Sequence, residues 1–502
     1  MNEVVVLNPN PLIRFLDKPS DDFTRDDLIR FIEGHGIQLV NFRYAGADGR
    51  LKTLNFIIKS RKHLESILNA GERVDGSSLF PHYIEAGSSD LYVVPRYRTA
   101  FLNPFSAIPA LDILCSYYDK DGLPFASSPE YIMRKAHRAL KESAGLDYEV
   151  MGELEYYVIS EKNPLYEAAD QRGYHESSPF CKWEKLRIEA MQAIATCGGF
   201  IKYGHSEVGT FTESGLLYEQ NEIEFIPVRL EDAAEQLLIA KWILRSLAYK
   251  YGVTVTFAPK ITTGKAGSGL HIHTRLLKNG KSMMVENGVL SGTARKAIAG
   301  YLFLAKSLTA FGNMIPTSYF RLVPHQEAPT TICWGDRNRS VLVRVPLGWS
   351  DSKNNMVKDA NPLEKETRNH FINRQTVEFR SPDGSADVYL LFAGLAVAAR
   401  YGLEMKEALA YAEKTYVDIN IFDAKYKKRV RELQYLPSSC WDSADALESQ
   451  RAIYQSKGVF PKKILDGIIK KLKSFDDQHL LRNIMDSEKE IIKLVNTFLH
   501  CG

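Results

Sequence analysis

The sequence predicts an α+β protein in which a small, strand-rich domain precedes a large domain with a curved, mainly antiparallel sheet backed by helices. Strand-like and helical segments alternate along 502 residues, a length that suits more than one domain. The strands of the large domain carry charge at alternate positions, whereas the strands of a buried parallel sheet are apolar on both faces. Near the N-terminus, Asp48-Gly49 between two alternating segments indicates a hairpin.

The composition limits the classes of function. Hydrophobic residues make up 45% of the chain and charged residues 25%, as in ordinary globular proteins. The formal net charge of +3 is too small to indicate nucleic-acid binding. The longest apolar run, Val388–Ala399, is too short to span a membrane, and the first residues do not resemble a secretory signal. Six cysteines without a CxxC pair fit a reducing compartment. We expect a cytoplasmic enzyme that binds neither nucleic acid nor a membrane.

The N-terminal part divides into an extension and the strand-rich domain. Residues 1–25 read as an irregular extension, and residues 26–120 form the domain. Its strands are predicted from alternating apolar and polar residues, and its helices from apolar residues at helical spacing. The expected elements are helices over Asp26–Gly34 and Arg61–Ala70, and strands over Ile37–Tyr44, Arg50–Ile57, Leu91–Pro95 and Ile108–Tyr118.

The large domain, residues 121–502, begins with a helix that starts at Ser127, with Glu130 completing a capping box, or at Ser128, with Pro129 in the first turn. Gly145 ends it. Further helices are expected over Lys185–Cys197, Leu230–Tyr251, Ala294–Phe311 and Asp387–Tyr401. Strands are expected over Tyr148–Ile159, around Glu207, and over Glu222–Val228, Val253–Phe257, Gly269–Leu277 and Gln375–Arg380. The remaining C-terminal residues are largely helical.

The segment Tyr319–Pro346 concentrates guanidinium groups. Two of its prolines, Pro324 and Pro329, exclude a continuous helix. Its four arginines, Arg321, Arg337, Arg339 and Arg344, occur in the same segment as the carboxylate of Glu327. Each guanidinium is a rigid fork that matches carboxylate or phosphate oxygens. Charge alone would favour a solvated basic loop. A site that binds anionic groups through these arginines becomes the better interpretation if carboxylates and histidines elsewhere in the chain complete a polyphosphate site.

Four predicted strands supply those groups. Residues i and i+2 of a strand point to the same side. The pairs that share a face are Glu153 with Glu155, His271 with His273, Glu222 with Glu224, and Glu378 with Arg380. Any one pair could face solvent on a half-buried sheet. Four pairs facing inward would instead line a cavity with oxygen ligands and one or two imidazoles.

This donor set indicates the metal and the chemistry. Several carboxylates with histidine and no cysteine suit Mg²⁺ or Mn²⁺ rather than zinc or an iron–sulfur cluster. Next to an arginine cluster, such ions serve phosphoryl transfer from a nucleotide. A Walker-type GxxxxGK[ST] motif does not occur in the sequence. The residues alone therefore predict an ATP- and metal-dependent enzyme that acts on an anionic substrate.

An ordered series of motifs after about residue 36 resembles the glutamine synthetase family. The matching stretches are DGSS (Asp75–Ser78), SDLYVVP, GELEYY, HSEVG, QNEIEF, FAPK, GSGLHIH, RLVPHQEAP, RNRSVLVRVP and VEFRSPDGSADVYLLFAGL. The resemblance implies an N-terminal β-grasp domain, a funnel-like catalytic sheet, and a homo-oligomer of stacked rings with active sites between subunits. It also implies that ATP phosphorylates the γ-carboxylate of glutamate and that ammonia, delivered as ammonium, displaces phosphate. Two or more Mg²⁺ or Mn²⁺ ions would assist.

The resemblance also implies roles for individual residues. One metal ion would be held by Glu155, Glu207 and Glu222, and the other by Glu153, His271 and Glu378. Glutamate would contact Gly267, Arg321 and Arg380. The nucleotide phosphates would contact His273, Arg339 and Arg344, with Arg339 also catalytic. The ammonium site would consist of Glu327 together with Asp75 and Ser78 from a neighbouring subunit, and Asp75 would act as the base.

Several departures from the family pattern occur, and those at Ala266 and between Glu207 and Glu222 leave room for altered substrates. Ala266 stands where the family usually has Asn, Thr376 stands where it often has a basic residue, and the connection from Glu207 to Glu222 is longer than usual, as expected of a loop insertion. A γ-glutamyl–amine ligase that uses a larger amine is therefore an alternative. A catalytically silent structural or regulatory homologue is a third reading. All six candidate metal ligands argue against it, since buried carboxylates are costly without a cation.

Overall fold

The chain forms an N-terminal sheet and a larger second sheet, described by a computed structural model. The structure describes residues 7–81, 84, 89–162, 166, 168–323, 328–348, 356–364, 374–421, 432–484 and 487–502. Among these residues, no single helix has both the length and the apolar composition of a membrane span. One pair, Val388–Glu404 with Ala408–Thr415, meets that test only when taken together, and the two helices are bent by 112°.

The N-terminal part contains a six-stranded sheet flanked by short helices. Its helices are α1 (Pro11–Leu16), α2 (Arg25–Gly34), α3 (Arg61–Ala70) and α4 (Gly76–Leu79). Its strands are β1 (Leu39–Ala45), β2 (Leu51–Ile57), β3 (Glu72–Asp75), β4 (Asp90–Pro95), β5 (Phe101–Leu102) and β6 (Ala110–Tyr118). The strand order is β2-β1-β6-β4-β3, with β5 also on β6, and β1 runs parallel to β6.

The extension is not irregular throughout, contrary to the expectation from sequence. Helix α1 begins with Pro11 in its first turn, and the Asn10 side chain accepts a hydrogen bond from the Leu12 backbone N–H. Asparagine is a favoured N-cap, and the missing N–H of proline costs nothing in the first turn. Leu12 and Leu16 are buried, so the short helix is held by packing.

The second part of the chain contains the larger sheet and most of the helices. The helices are α5 (Pro129–Ala144), α6 (Glu184–Thr196), α7 (Leu230–Tyr251), α8 (Gly292–Phe303), α9 (Ala305–Gly312), α10 (Ser318–Arg321), α11 (Met356–Ala360), α12 (Val388–Glu404), α13 (Ala408–Thr415), α14 (Cys440–Gln455), α15 (Lys462–Lys473), α16 (Leu480–Ile484) and α17 (Glu488–Phe498). The helix expected over Ala294–Phe311 is divided into α8 and α9 at Leu304, whose ψ of 6° departs from helical geometry.

The strands of this part form a ten-stranded sheet and a small separate hairpin. They are β7 (Asp147–Glu161), β8 (Ile201–Glu213), β9 (Leu216–Phe225), β10 (Val228–Arg229), β11 (Thr254–Thr256), β12 (Leu270–Lys278), β13 (Lys281–Ser282), β14 (Val285–Glu286), β15 (Val289–Leu290), β16 (Trp334–Asp336), β17 (Val343–Val345) and β18 (Val377–Phe379). The main order is β16-β17-β18-β12-β7-β9-β8, antiparallel except between β16 and β17.

The segment between Glu207 and Glu222 is a β-hairpin, so the expectation of a loop insertion was wrong. Strands β8 and β9 pair as far as Glu213 opposite Leu216, across a two-residue turn. Ser214 and Gly215 both have positive φ, 50° and 78°, as a tight hairpin turn with the right twist requires. The extra residues therefore lengthen two strands and keep a defined register.

Helix α12 forms the centre of the helical layer, and it is buried along nearly its whole length. It crosses α8 at two glycines. A Cβ on Gly300 would lie 1.9 Å from the Ala398 carbonyl oxygen, and one on Gly402 would lie 2.1 Å from the Lys296 carbonyl oxygen. The two backbones are therefore in direct contact, and a larger residue at either glycine would force them apart.

Candidate active site

The polar face of the large sheet lines a cavity of about 700 Å³. Alternation along each strand places the ionisable side chains on this face, whereas Leu154, Ile223 and Ile272 pack into the core on the other. Ten of the residues predicted from the sequence line the cavity: Glu153, Glu155, Glu207, Glu222, His271, His273, Arg339, Arg344, Glu378 and Arg380.

Strand register arranges these side chains in rows across the sheet. Glu153 on β7 lies opposite His271 on β12 and opposite Glu224 on β9. In a second row, Glu155 lies opposite Glu222. Both rows place two carboxylates directly across from each other, an arrangement that destabilises a sheet unless a cation lies between them. The register therefore predicts cation binding along β7 and β9.

One group of donors consists of Glu153, His271 and Glu378, whose ligand atoms all lie within 4.8 Å of one another. Nδ1 of His271 is 3.0 Å from Glu153 Oε2 and 3.5 Å from Glu378 Oε1. Burial raises the pKa of Glu153, but His273 and His271 outweigh it and hold that pKa well below its usual range. The carboxylate is therefore ionised and available as a ligand.

A second group consists of Glu207, Glu222 and His205, within the same 4.8 Å limit. Glu207 lies in an irregularity of β8 between Ser206 and Thr210, where the strand departs from regular pairing with β9. Nε2 of His205 is 3.2 Å from Glu222 Oε1. The bulge turns Glu207 toward the cavity, as β-bulges commonly re-aim a side chain.

Glu155 is oriented by neutral donors rather than by an arginine or lysine. Its Oε2 accepts hydrogen bonds from the Gly269 backbone N–H at 2.7 Å and from Gln220 Nε2 at 3.1 Å. Its Oε1 lies 3.9 Å from His271 Nε2. Glu155 thus faces the space between the two donor groups with a fixed side-chain orientation.

The electrostatics of Glu222 show a local excess of negative charge at this end of the cavity. Burial, followed by repulsion from Glu153, Glu155, Glu207 and Glu224, raises the pKa of this carboxyl well above its usual range. A divalent cation would relieve that repulsion. Oxygen donors with one or two imidazoles, and no thiolate, suit a hard ion such as Mg²⁺ or Mn²⁺. The residues present therefore fit such ions.

The arginines lie on the opposite side of Glu378. Arg344 donates to Glu378 Oε2 at 2.9 Å, and Nε of Arg380 donates to Oε1 at 3.0 Å. A second nitrogen of Arg380 donates to the Arg339 carbonyl oxygen, which ties the Arg339 loop to β18. One carboxylate thus links the donor groups to three arginines that line the cavity.

Arg321 and Gly267 lie beneath the cavity and do not line it. Arg321 is buried and donates to three backbone carbonyls, of Arg380, Ser381 and Pro382, at 2.8–3.2 Å. A Cβ on Gly267 would lie 3.0 Å from Arg321 Cγ. The Gly267 carbonyl accepts from Gln220 Nε2 at 2.9 Å. Both residues support the wall of the site, and their contact with substrate stays a prediction.

Two of the three residues predicted for the ammonium site lie away from the cavity of the described chain. Asp75 and Ser78 are exposed on the N-terminal domain and do not line the cavity. The Asp75 carboxylate caps α4 by accepting from the Ser77 backbone N–H at 2.9 Å. Hydrogen bonds from Ser78 and Ser77 lower the pKa of Asp75 below its usual range. Glu327 lies outside the described residues.

Sequence reasoning gave no role to Lys202 and His205, which also line the cavity. Thr376, noted only as a departure from the family pattern, lines it too. Glu224, which the two-residue repeat placed on the same face as Glu222, forms a third donor group with Glu153 and His273. Lys202 Nζ is 2.6 Å from Glu224 Oε1, a contact between strands that no local pattern reveals. Thr376 Oγ1 is 2.8 Å from His273 Nδ1 and orients that ring.

Comparison with known protein families identifies the family of this chain. The family model for the glutamine synthetase catalytic domain matches residues 126–491, and that for the glutamine synthetase β-grasp domain matches residues 36–120. The chain belongs to the glutamine synthetase family. The family resemblance and the predicted fold, a β-grasp domain followed by a large domain with a curved sheet and helices, are both confirmed.

The individual relatives have low sequence identity to this chain, but each match covers nearly the full length of both proteins. Glutamine synthetase from Mycobacterium bovis is 28% identical over 480 residues, which cover 88% of this chain and 93% of that protein. The solved structure of Plasmodium falciparum glutamine synthetase has a TM-score of 0.73 at 21% identity, covering 90% and 96% of the two chains. A structure described as a GmaS/ADP complex has a TM-score of 0.71 at 18% identity, covering 91% and 99%. These two structures establish the fold.

Proposed function

We propose that this protein ligates ammonia to L-glutamate at the expense of ATP, through a γ-glutamyl phosphate, and releases glutamine, ADP and phosphate. The observation that carries the proposal is the single cavity in which carboxylate and imidazole donor groups face Arg339, Arg344 and Arg380. Such a cavity accommodates a metal–polyphosphate complex beside an anionic acceptor. Membership of the glutamine synthetase family supports the assignment.

The proposed metal ligands follow the family pattern. Glu155, Glu207 and Glu222 would hold one ion, and Glu153, His271 and Glu378 the other. The second set is one of the donor groups in the structure, whereas Glu207 and Glu222 are grouped there with His205 rather than with Glu155. When bound, the ions would neutralise phosphate oxygens and align the γ-phosphate with its acceptor. Glu378 has a second task, because it orients Arg344 and Arg380 through direct hydrogen bonds.

The arginines and the glutamate site complete the first step. Arg339 and Arg344, with His273, would bind the nucleotide phosphates, and Arg380 would contact both glutamate and the transferred phosphoryl group. Guanidinium groups preorganised in a cavity stabilise the charge that builds up on the phosphoryl oxygens without reorganising. The buried Arg321 would anchor the substrate carboxylate together with Gly267, which requires its side chain to leave some of its present carbonyl contacts.

The second step requires ammonium to be bound and deprotonated. Asp75, lowered in pKa and exposed, is suited to bind a cation, and a carboxylate adjacent to an electrophile can accept its proton. Because Asp75 and Ser78 do not line the cavity of their own chain, we assign them to the active site of a neighbouring subunit, together with that subunit's own Glu327. A homo-oligomer of stacked rings follows as part of the proposal.

The test is ATP-dependent release of phosphate with glutamate, Mg²⁺ or Mn²⁺, and either ammonium or a series of larger amines. We expect strong stimulation by ammonium and at least a 100-fold loss in Arg344→Ala, since about 2.7 kcal/mol of transition-state stabilisation corresponds to that factor. Arg295→Ala, on a helix away from the cavity, is the matched control. Phosphate release that ammonium does not stimulate would refute ammonia ligation.

A γ-glutamyl–amine ligase remains the second candidate. It is favoured by Ala266, where a small apolar side chain replaces the usual asparagine and only its backbone makes polar contacts. The Ala266 N–H donates to Gln171 Oε1 at 2.8 Å, and its carbonyl accepts from the Tyr157 hydroxyl at 2.9 Å. Stimulation by a larger amine instead of ammonium would establish this reaction on the same machinery.

A further inference from the structure

A second cavity, of about 410 Å³, lies at the junction between the N-terminal domain and helix α7. Its walls are Gly49, Arg50 and Leu51 from the β1–β2 turn, Phe105, and a face of α7 consisting of Leu238, Lys241, Trp242, Arg245, Ser246 and Tyr249. Among the described residues, three basic side chains and no carboxylate line this cavity. It is separate from the active site, since the two linings share no residue.

The three cations are not neutralised by ion pairs. Within the described part of the chain, Arg50, Lys241 and Arg245 bind backbone carbonyls instead. Lys241 Nζ donates to the Gly384 oxygen at 2.7 Å, Arg245 donates to the Cys501 oxygen at 2.7 Å, and Arg50 donates to the His500 oxygen. A carbonyl carries only a partial charge, so three full positive charges remain incompletely balanced.

Burial and the mutual repulsion of these cations lower the pKa values of Lys241 and Arg245. Burial, followed by repulsion from Arg245, lowers the pKa of Lys241 to about 8. Burial, followed by repulsion from Arg50, lowers the pKa of Arg245 to about 10. Lys241 and Arg245 also stand one helical turn apart on α7, a spacing at which like charges destabilise a helix.

Nearby carboxylates are already engaged. Asp48, which attracts Arg245, accepts from Lys52 Nζ at 2.5 Å. Asp383, which attracts Lys241, is buried and accepts from Asn313 at 2.8 Å and from the Ser385 N–H at 2.9 Å. Among the described residues, no Asp or Glu side chain forms an ion pair with Arg50, Lys241 or Arg245, whose hydrogen-bond acceptors are backbone carbonyl oxygens.

We propose that this junction binds a small multivalent oxyanion, carried on a phosphate or carboxylate compound, between Arg50, Lys241 and Arg245. The guanidinium forks of Arg50 and Arg245 would take its oxygens bidentately. Phe105, Trp242 and Tyr249 would pack against its apolar part. Because Arg50 belongs to one domain and α7 to the other, the bound anion joins the domains. The C-terminal carbonyls of His500 and Cys501 compete with it for the same donors.

The test counts anion sites on the full-length protein without metal or nucleotide, by equilibrium dialysis with labelled pyrophosphate. Wild type should show two classes of site, one of them in the active-site cavity. Arg344→Gln should weaken the active-site class alone. Arg245→Gln and Arg50→Gln should each weaken the junction class by about tenfold or more, as expected for a charge-assisted hydrogen bond. Lys278→Gln, an exposed lysine outside both linings, should change neither class.

Two further results decide the proposal and identify the ligand class. Citrate at matched ionic strength should displace pyrophosphate from the junction if the natural ligand of this site is a carboxylate compound. If the natural ligand is a phosphate compound, citrate should not displace pyrophosphate. Arg50 is exposed, so its variant should fold even if Arg245→Gln does not. A wild-type protein with a single class of site, or junction variants that bind as wild type does, would overturn the proposal without affecting the proposed ligase activity.

Discussion

Replacing Glu222 with glutamine should stabilise the metal-free protein while it impairs metal binding. Glu222 is buried among four other carboxylates, which together with burial raise its pKa. The ligand oxygens of Glu207 and Glu222 lie within 4.8 Å. Coulomb's law at an effective dielectric constant of about 20 gives roughly 3.5 kcal/mol of repulsion for one such pair. The amide removes this repulsion and keeps the volume and the contact with His205.

The pH dependence of that stabilisation has a definite sign. A carboxyl whose pKa is raised in the folded state binds more protons folded than unfolded, so its contribution to stability falls as pH rises through that interval. Protonation of Glu222 removes the repulsion in the native protein. For a carboxyl of ordinary pKa, the free energy of this protonation is about 1 kcal/mol at pH 5, but at pH 8 it exceeds the repulsion energy. We therefore expect Glu222→Gln to gain about 2–3 kcal/mol at pH 8 and at most about 1 kcal/mol at pH 5.

Urea unfolding in chelator at pH 8 and pH 5, at one protein concentration, measures this difference through the shift in midpoint. Adding Mn²⁺ should reverse the order at pH 8, since wild type gains binding free energy that the variant lacks. Glu213→Gln, on the same hairpin but outside the cavity lining, controls for loss of a carboxylate. A metal-free Glu222→Gln protein that is less stable than wild type at pH 8 would show that the carboxylate cluster is not under electrostatic stress.

Three further predictions concern the donor groups, the assembly and the helical core. Glu153→Gln, which alters a ligand shared by two donor groups, should reduce the number of Mn²⁺ ions counted by electron paramagnetic resonance and lower activity by about 100-fold or more. Mixed oligomers of Asp75→Asn and Glu378→Gln, each inactive alone, should recover activity at about a quarter of sites if neighbouring subunits share each site; no recovery would place both residues in one chain's site. Gly300→Ala should destabilise the protein by about 1–3 kcal/mol in thermal unfolding, because the added methyl meets a backbone carbonyl, whereas Lys296→Ala on the same helix should change stability little.

Local patterns predicted which side chains line the cavity better than they predicted the connections between strands. The alternation of Glu153 with Glu155 and of His271 with His273 follows from the two-residue repeat of a strand, so the donors could be assigned to one face from sequence. The hairpin between Glu207 and Glu222 could not be separated from a loop insertion. Its register depends on pairing across the sheet, and the Ser214-Gly215 turn is only one weak local signal.

Residue type and backbone periodicity were sufficient to predict the family, most of the donors and arginines that line the cavity, and the face on which they lie. In contrast, the position of Glu153 opposite both Glu224 and His271, and the contact of Lys202 with Glu224, follow only from the folded structure. It also brought Arg50 together with Lys241 and Arg245 from opposite domains. Cross-strand register and domain packing are set by long-range burial, which no window of neighbouring residues contains.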